Sequence, residues 1–486
     1  MSENSEGGLR AAFFLPYAGR AYAHNLQHSI PRSPALLGNT NPTQSSRLAD
    51  LYNDRMPPRP SPIAALLAAY KSGETNPTAK ARIAFSRANG NVSRNTYLAM
   101  DPDWTLGEAR RQLKRATSGD QPLPLSGLPV SLKDCFDLTG FPTSSGSKFY
   151  AANKPTASAD SWVAARLRRA GAVIVGKTHL HQLAYGITGE NRDYGDCLQP
   201  ADSSLLTGGS SSGAAASLQE GSALAAIGTD TGGSVRAPAA LCGLAGYRAS
   251  LGIGDWMGGY HLAQSFDTVG WLCRDLRDLP LLAESLFDLP LENPTPPTIR
   301  IGVLTGPLLE TCETDVRHAL ADWQDRLHRA SAQLEPFCPP FWSEAWDIYA
   351  PLQAHEAAQL HAGFFHEFDP TIAARLAWGA SLSESEVQKL RRRHAAFRSQ
   401  HAQLFRQFDF LLAPVSPTSR LLAGADHTES RARILRLTTP ASLGGNPAVV
   451  LPSPECGVQL IAAHNNDRRL LHFAGMLGDL LASEEA

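Results

Sequence analysis

Two serine-glycine loops and one lysine are the residues here whose types and order can do chemistry. The first loop is Thr207-Gly208-Gly209-Ser210-Ser211-Ser212-Gly213. A predicted helix and strand lead from it to the second, Gly228-Thr229-Asp230-Thr231-Gly232-Gly233-Ser234-Val235-Arg236-Ala237-Pro238-Ala239. Glycines at a strand end let the backbone approach a substrate closely and aim N–H groups at one point. Such N–H groups can hold a developing oxyanion, and a serine in that loop is placed to be the nucleophile. A serine nucleophile needs a base, and neither loop contains a histidine. Lys133 closes the alternating run Val130-Ser131-Leu132-Lys133. A lysine leaving a buried strand sits in low dielectric, where desolvation lowers its pKa and makes a neutral base accessible.

Shorter matches carry less. Gly171-Ala172-Val173-Ile174-Val175-Gly176-Lys177-Thr178 fits GxxxxGK[ST] letter for letter. A phosphate loop needs exposed backbone N–H groups, and Val-Ile-Val reads as a buried strand instead. Gly209-Ser210-Ser211-Ser212-Gly213 fits GxSxG with Ser211 as nucleophile, but Ser203–Thr207 is a poor strand to precede an elbow. With fifteen histidines in the chain, finding one downstream is uninformative. Ser145-Gly146-Ser147-Lys148 fits SxxK without its companion motifs. His355 and His361 lack the i, i+4 spacing of two zinc ligands on one helix.

The 486 residues include 44 Lys+Arg and 46 Asp+Glu, a net charge of −2 that calls for no nucleic-acid partner. At 43% hydrophobic and 19% charged the chain is a globular protein, large enough to bury a core without staples. Seven scattered cysteines without a CxxC pair point away from disulfides and structural zinc, so a reducing, cytoplasmic setting is expected. No apolar run is long enough to span a bilayer. Ala11–Ala18 is apolar and Ala21-Tyr22-Ala23 resembles a cleavage site. Pro16, Glu3 and Glu6 argue against an export signal.

Residues 1–60 show little apolar periodicity and end in a Pro-rich stretch. They are expected to be an extension, carried on the surface or partly disordered, before a domain of residues 61–486. Helices are predicted at Ile63–Tyr70, Leu106–Ala116, Asp160–Ala170 and Ala214–Glu220. Strands are predicted at Val130–Lys133, Val173–Val175, Ala223–Ile227, Ile299–Leu304, Phe410–Pro414 and Ala448–Pro452, with residues 315–408 mostly helical. The alternation predicts an α/β fold: one large domain whose central sheet is mixed, mostly parallel, and covered by helices on both faces.

The GGSS loop, the GTDTGGS-R-PA stretch and the VSLKD strand together resemble the amidase signature family of serine hydrolases, over about residues 62–480. Their order and spacing are similar too: Lys133 lies 77 residues before Ser210, and Ser210 lies 24 before Ser234. Gly171–Thr178, Ser265-Phe266-Asp267-Thr268-Val269-Gly270, Asp409–Pro414, Pro440–Pro452 and Gly457-Val458-Gln459-Leu460 are similar as well. The resemblance implies an amidase that cleaves a small amide to an acid and ammonia or an amine. Ser234 would be acylated, and Ser210, in a cis peptide, would bridge to Lys133 as terminal base and acid. N–H groups of Thr231, Gly232, Gly233 and Ser234 would hold the oxyanion. Asp230 and Arg236 would brace the loop, Ser211 would support the network around Lys133, and Ala184 would line the acyl pocket. The resemblance implies no metal or organic cofactor, and a homodimer would fit it.

The chain departs from the family pattern where Ser212 replaces the fifth residue of GGSSGG. It departs again where Tyr247-Arg248-Ala249-Ser250 replaces a Leu-Lys-Pro-Thr run. Two other readings compete. One is a glutamine-amidotransferase component working with partner subunits, which that altered run and the N-terminal extension disfavour. The other is an inactive binding protein on the same scaffold, which intact Lys133, Ser210 and Ser234 disfavour.

Overall fold

The apolar runs become strands of one sheet. In the computed structural model, residues 59–90, 94–118, 120–289 and 298–484 are described. The strands are β1 (Tyr97–Ala99), β2 (Pro129–Lys133), β3 (Val173–Thr178), β4 (Ala225–Asp230), β5 (Ala245–Arg248) and β6 (Thr268–Cys273). They continue with β7 (Arg300–Leu304), β8 (Gln333–Phe337), β9 (Phe410–Pro414), β10 (Ala448–Leu451) and β11 (Val458–Ala462). Their order in the sheet is β1-β3-β2-β4-β6-β5-β10-β11-β9-β7-β8.

The sheet is mixed, but it is not mostly parallel. Parallel pairing is confined to β3-β2-β4 and β9-β7-β8, four pairs in all. The other six described pairs are antiparallel. Connection length explains part of the correction. Residues 452–457 are too short a link to carry the crossover that a parallel β10-β11 pair would need.

Alternate side chains of each strand enter opposite faces. Val449 and Leu451 join one apolar cluster, with Val130, Leu132, Ile174, Ile227 and Trp271. Ala448 and Val450 join the other, with Ala226, Leu272, Leu411 and Ile461. Helix Trp162–Arg169 packs its Val163, Ala164 and Leu167 into the first cluster. Helix Ser212–Glu220 packs Ala214, Ala215 and Leu218 into the second. Strands covered on both faces read as unbroken apolar runs, which is why most were recognisable.

Several boundaries have local causes. The first described helix, Pro62–Ser72, starts where the Ser61 side chain accepts from Ala64 N, and it stops at Gly73 in the left-handed region. Helix Pro77–Gly90 escapes the sequence reading because three of the residues it buries at helical spacing, Ala81, Ala84 and Ala88, are small. Strand β8 interrupts the region read as mostly helical. It lies at the sheet edge, half exposed and with Pro336 inside, so it lacks a buried strand's pattern. The predicted N-terminal extension lies outside the described residues, except for Arg59 and Pro60, and so does the segment weighed as an export signal.

The arrangement matters for function because β2 and β4 are parallel neighbours, with Leu132 opposite Ile227. Their C-terminal ends therefore emerge at the same edge, which puts Lys133 beside the loop that follows β4. Trp271 of β6 lies at the centre of this region, fully buried, 4.5 Å from the Tyr247 ring and donating to Leu279 O at 3.1 Å. Trp271→Ala is expected to cost about 3–5 kcal/mol, read as a lower urea midpoint for the full chain.

Candidate active site

Lys133 is 0% exposed. Its Nζ lies 2.8 Å from Ser210 Oγ and 2.8 Å from Thr229 Oγ1. None of the described ion pairs gives it a carboxylate partner. Burial lowers its pKa to about 8, against the opposing pull of Cys135, Asp267 and Asp230. An ammonium held only by two hydroxyls loses hydration without an ion-pair partner, and so the neutral amine comes within reach near neutral pH.

The first loop is held against the second. The Gly209–Ser210 peptide is cis, and Ser210 is buried. Ser211 N donates to Ser234 O at 3.1 Å, which ties the two loops together by their backbones. Ser211 Oγ donates to Thr229 O at 3.2 Å and accepts from Thr229 N at 3.4 Å. Ser211 therefore anchors the residue whose hydroxyl meets Lys133, and its own hydroxyl is committed to backbone. An elbow nucleophile at Ser211 does not fit this geometry.

Asp230 organises the second loop. It accepts from the amides of Gly233 (2.8 Å), Val235 (3.2 Å) and Arg236 (3.2 Å). It also pairs with the guanidinium groups of Arg236 and Arg248, each 2.9 Å from Oδ1, and all three side chains are buried. Burial alone would raise its carboxyl pKa. The two arginines and the amide donors outweigh burial and hold it far below the usual carboxylate range. Arg236 reaches on to Thr438 O (2.9 Å), Gln459 Oε1 (2.8 Å) and Ser442 Oγ (3.0 Å).

The loop itself is shaped for close approach. Gly233 has φ +124°, a region that favours glycine. A Cβ on Gly232 would lie 2.4 Å from the Tyr349 hydroxyl oxygen. Thr231 Oγ1 donates to Asp267 Oδ1 at 2.6 Å, and Thr438 Oγ1 donates to Gly232 O at 2.5 Å. One expectation needs correcting. Gly233 N–H is already given to Asp230, so it is not a free oxyanion donor. The amides of Thr231, Gly232 and Ser234 enter no described hydrogen bond.

Ser234 and Gly232 line a small cavity with Ala184, Tyr349, Gln353 and Arg431, about 10 Å³ in size. Ala184, expected at this wall, is there, in left-handed backbone at φ 56°. Two roomier clefts lie elsewhere and contain none of the candidate residues. Tyr349 and Gln353 come from the helical region named in the sequence reading, whereas Arg431 comes from a later helix, Thr428–Gly444.

Arg248, Asp267, Thr438 and Gln459 bear on the site and were assigned no role from sequence. Arg248 had a signal: a charged residue in the otherwise apolar run Ala245–Ala249 needs a buried acid. It belongs to the run that departs from the family pattern, and the rest of that run is equally engaged. Tyr247 OH and Ser250 Oγ each donate to Asp467 at 2.5 Å.

The competing motifs have structural uses. Lys177 is buried in β3 and paired with Asp134 at 2.7 Å. Ser145 is buried while Lys148 is exposed, so the two do not form a reactive pair. His361 Nδ1 meets Tyr150 OH at 2.7 Å and His355 Nδ1 meets Gly379 O at 3.4 Å. Among the described residues no cluster of His, Cys, Asp and Glu could hold a metal, and no helix is long and apolar enough to cross a membrane.

Comparison with known proteins gives consistent matches. The family model described as Amidase matches residues 82–471. The chain is 34% identical to 2-amino-5-chloromuconic acid deaminase of Comamonas testosteroni over 377 residues, covering 72% of this chain and 81% of that one. It is 29% identical to a glutamyl-tRNA(Gln) amidotransferase subunit of Thermobifida fusca over 450 residues, covering 81% and 88%. A solved structure described as an amidase superposes with a TM-score of 0.78 at 30% identity, covering 85% of this chain and 98% of that one.

The Asp230 network makes a sharp demand on charge. Asp230→Asn keeps the shape and leaves two buried guanidinium groups without their carboxylate. The expected cost is about 3–5 kcal/mol, measured as a fall in the urea midpoint of the full chain.

Proposed function

This chain belongs to the amidase family and is an amide hydrolase, and from that premise we propose that Ser234, Ser210 and Lys133 carry its reaction. The observation that carries the proposal is Lys133, buried and uncompensated, within hydrogen-bond distance of Ser210 Oγ. Neutral Lys133 takes the Ser210 proton as Ser210 takes that of Ser234. The freed Ser234 Oγ attacks the amide carbonyl. The amides of Thr231, Gly232 and Ser234 receive the developing oxyanion, in a loop held by the contacts of Asp230. Collapse of the tetrahedral intermediate breaks the C–N bond. The proton held by Lys133 passes through Ser210 to the leaving nitrogen, which departs as ammonia or an amine. Water then attacks the Ser234 ester, Lys133 accepting its proton through the same relay and returning it to Ser234 Oγ as the ester bond breaks and the acid is released.

Asp230 and Arg236 take no part in proton transfer. They fix the loop that carries the amides assigned to the carbonyl, and Ser211 holds Thr229 against Lys133. The substrate is a small amide that reaches Ser234 through the cavity lined by Ala184, Tyr349, Gln353 and Arg431.

A second reading, one component of a glutamine-dependent amidotransferase, has support in the likeness to the Thermobifida fusca protein. Turnover of amides by the purified chain alone favours the hydrolase. Turnover that requires co-purifying partners favours the amidotransferase.

Intact mass after incubation with a fluorophosphonate tests the assignment of residues. The wild-type chain is expected to gain one adduct, Ser234→Ala none, and Ser210→Ala and Lys133→Ala an adduct at least about 100-fold more slowly. A wild-type chain that does not label, or an adduct that persists in Ser234→Ala, contradicts it.

A further inference from the structure

Two arginines stand near the cavity beside Ser234, and they differ in how they are used. Arg375 is fully engaged. Its Nη1 donates to Tyr185 O at 2.6 Å, its Nε to Thr371 O at 3.0 Å and its Nη2 to Thr371 Oγ1 at 3.2 Å. It stacks over the Tyr185 ring at 4.9 Å, and so it supports the wall formed by Tyr185 and Ala184. Arg431 lines the cavity itself and makes no described side-chain hydrogen bond or ion pair. Its Nε is buried and unpartnered. Its one described side-chain contact of this kind is with the Trp346 ring, 5.5 Å from Cζ, and a ring face does not satisfy an N–H.

The charges around Arg431 sharpen the point. The groups that bear on it electrostatically include Arg375, which repels it, the hydroxyls of Tyr185 and Tyr349, and His181. None is a carboxylate. Asp369 and Glu190 bear on Arg375 instead. A partly buried guanidinium with no acceptor carries an uncompensated desolvation cost. The cavity that leaves it unmet is the one that Ser234 and Gly232 line.

We propose that Arg431 binds a carboxylate on the substrate, making this enzyme selective for small amides whose acyl part carries a second, ionised acid group. The inference rests on the Ser234 reading above and names the substrate class of that site. A carboxylate is the compact anion that matches a guanidinium fork with two parallel hydrogen bonds. Arg431 and Ser234 line the same cavity, so a carboxylate on the guanidinium is joined to the reacting carbonyl by a short chain. Arg431 and Leu435 are one turn apart on the same helix face and both line the cavity, so Leu435 would cover that link. Tyr349 OH accepts from Gln353 Nε2 at 2.6 Å, which leaves the phenol proton available to the bound acid.

The test separates binding from turnover. Calorimetry on the full chain carrying Ser234→Ala compares the half-amides oxamate, malonamate and succinamate with the neutral amides propionamide and butyramide. At least one half-amide is expected to bind about 10- to 100-fold more tightly than the neutral amides. Adding Arg431→Gln should collapse that ratio to near one, and Arg431→Lys should restore part of it. Equal affinity for charged and neutral amides, or a preference that survives Arg431→Gln, overturns the carboxylate site. The urea midpoint of the Arg431→Gln chain checks that it stays folded, and a midpoint near that of the wild type is expected. A large fall in that midpoint would show Arg431 to be structural and would also overturn the proposal. Failure of the wild-type chain to label bears on the Ser234 reading alone, because the binding ratio is measured without turnover.

Discussion

The site depends on a lysine buried without a counter-ion. Lys133 Nζ meets two hydroxyls and no carboxylate, and desolvation brings its pKa to about 8. A nearby acid would have reversed this. An aspartate in ion-pair contact would stabilise the ammonium and remove the base. The acids that bear on Lys133, Asp267 and Asp230, make no described ion pair with it, and one of them directly follows Thr229 in the chain.

That acid is Asp230, and its situation is the opposite one. It receives three backbone amides and two guanidinium groups, and its charge is held firmly in place. The same loop therefore contains a fixed anion and three amides, of Thr231, Gly232 and Ser234, that enter no described hydrogen bond. Parallel pairing of β2 and β4 brings Lys133 and this loop to one edge. The tie from Ser211 N to Ser234 O sets the Ser210 loop against the Ser234 loop. Preorganisation of this kind orients dipoles before the charge appears, so little reorganisation is left for the reaction itself.

Much of this could be read in the sequence because the chemistry is concentrated in two short loops and one strand end. Lys133, Ser210 and Ser234 each sit in a run whose glycines and apolar residues mark its place. What could not be read has no local spacing. Asp230 meets Arg248 from 18 positions away, and Arg236 meets Gln459 from 223 away. Arg431 lies on a helix with no motif at all, and only the folded chain brings it to the cavity. Strand pairing was misjudged for a related reason. Alternation of helices and strands suggested parallel neighbours, but short links such as 452–457 impose antiparallel ones. Gly233 illustrates a finer limit. Its place in a Gly-Gly-Ser loop suggests a free amide, and only the structure reveals that Asp230 has taken it.

The central claim is that Lys133 acts as a neutral base. The most direct test is the pH dependence of the rate at which a fluorophosphonate acylates Ser234, followed by intact mass. The base must be deprotonated to act, and burial favours that form. The account therefore predicts a rate that is low in acid, climbs with pH through an inflection near 8 and then levels off. In Lys133→Ala the remaining slow reaction should show no such inflection. A wild-type rate that is flat across this range, or the same inflection in Lys133→Ala, would contradict it.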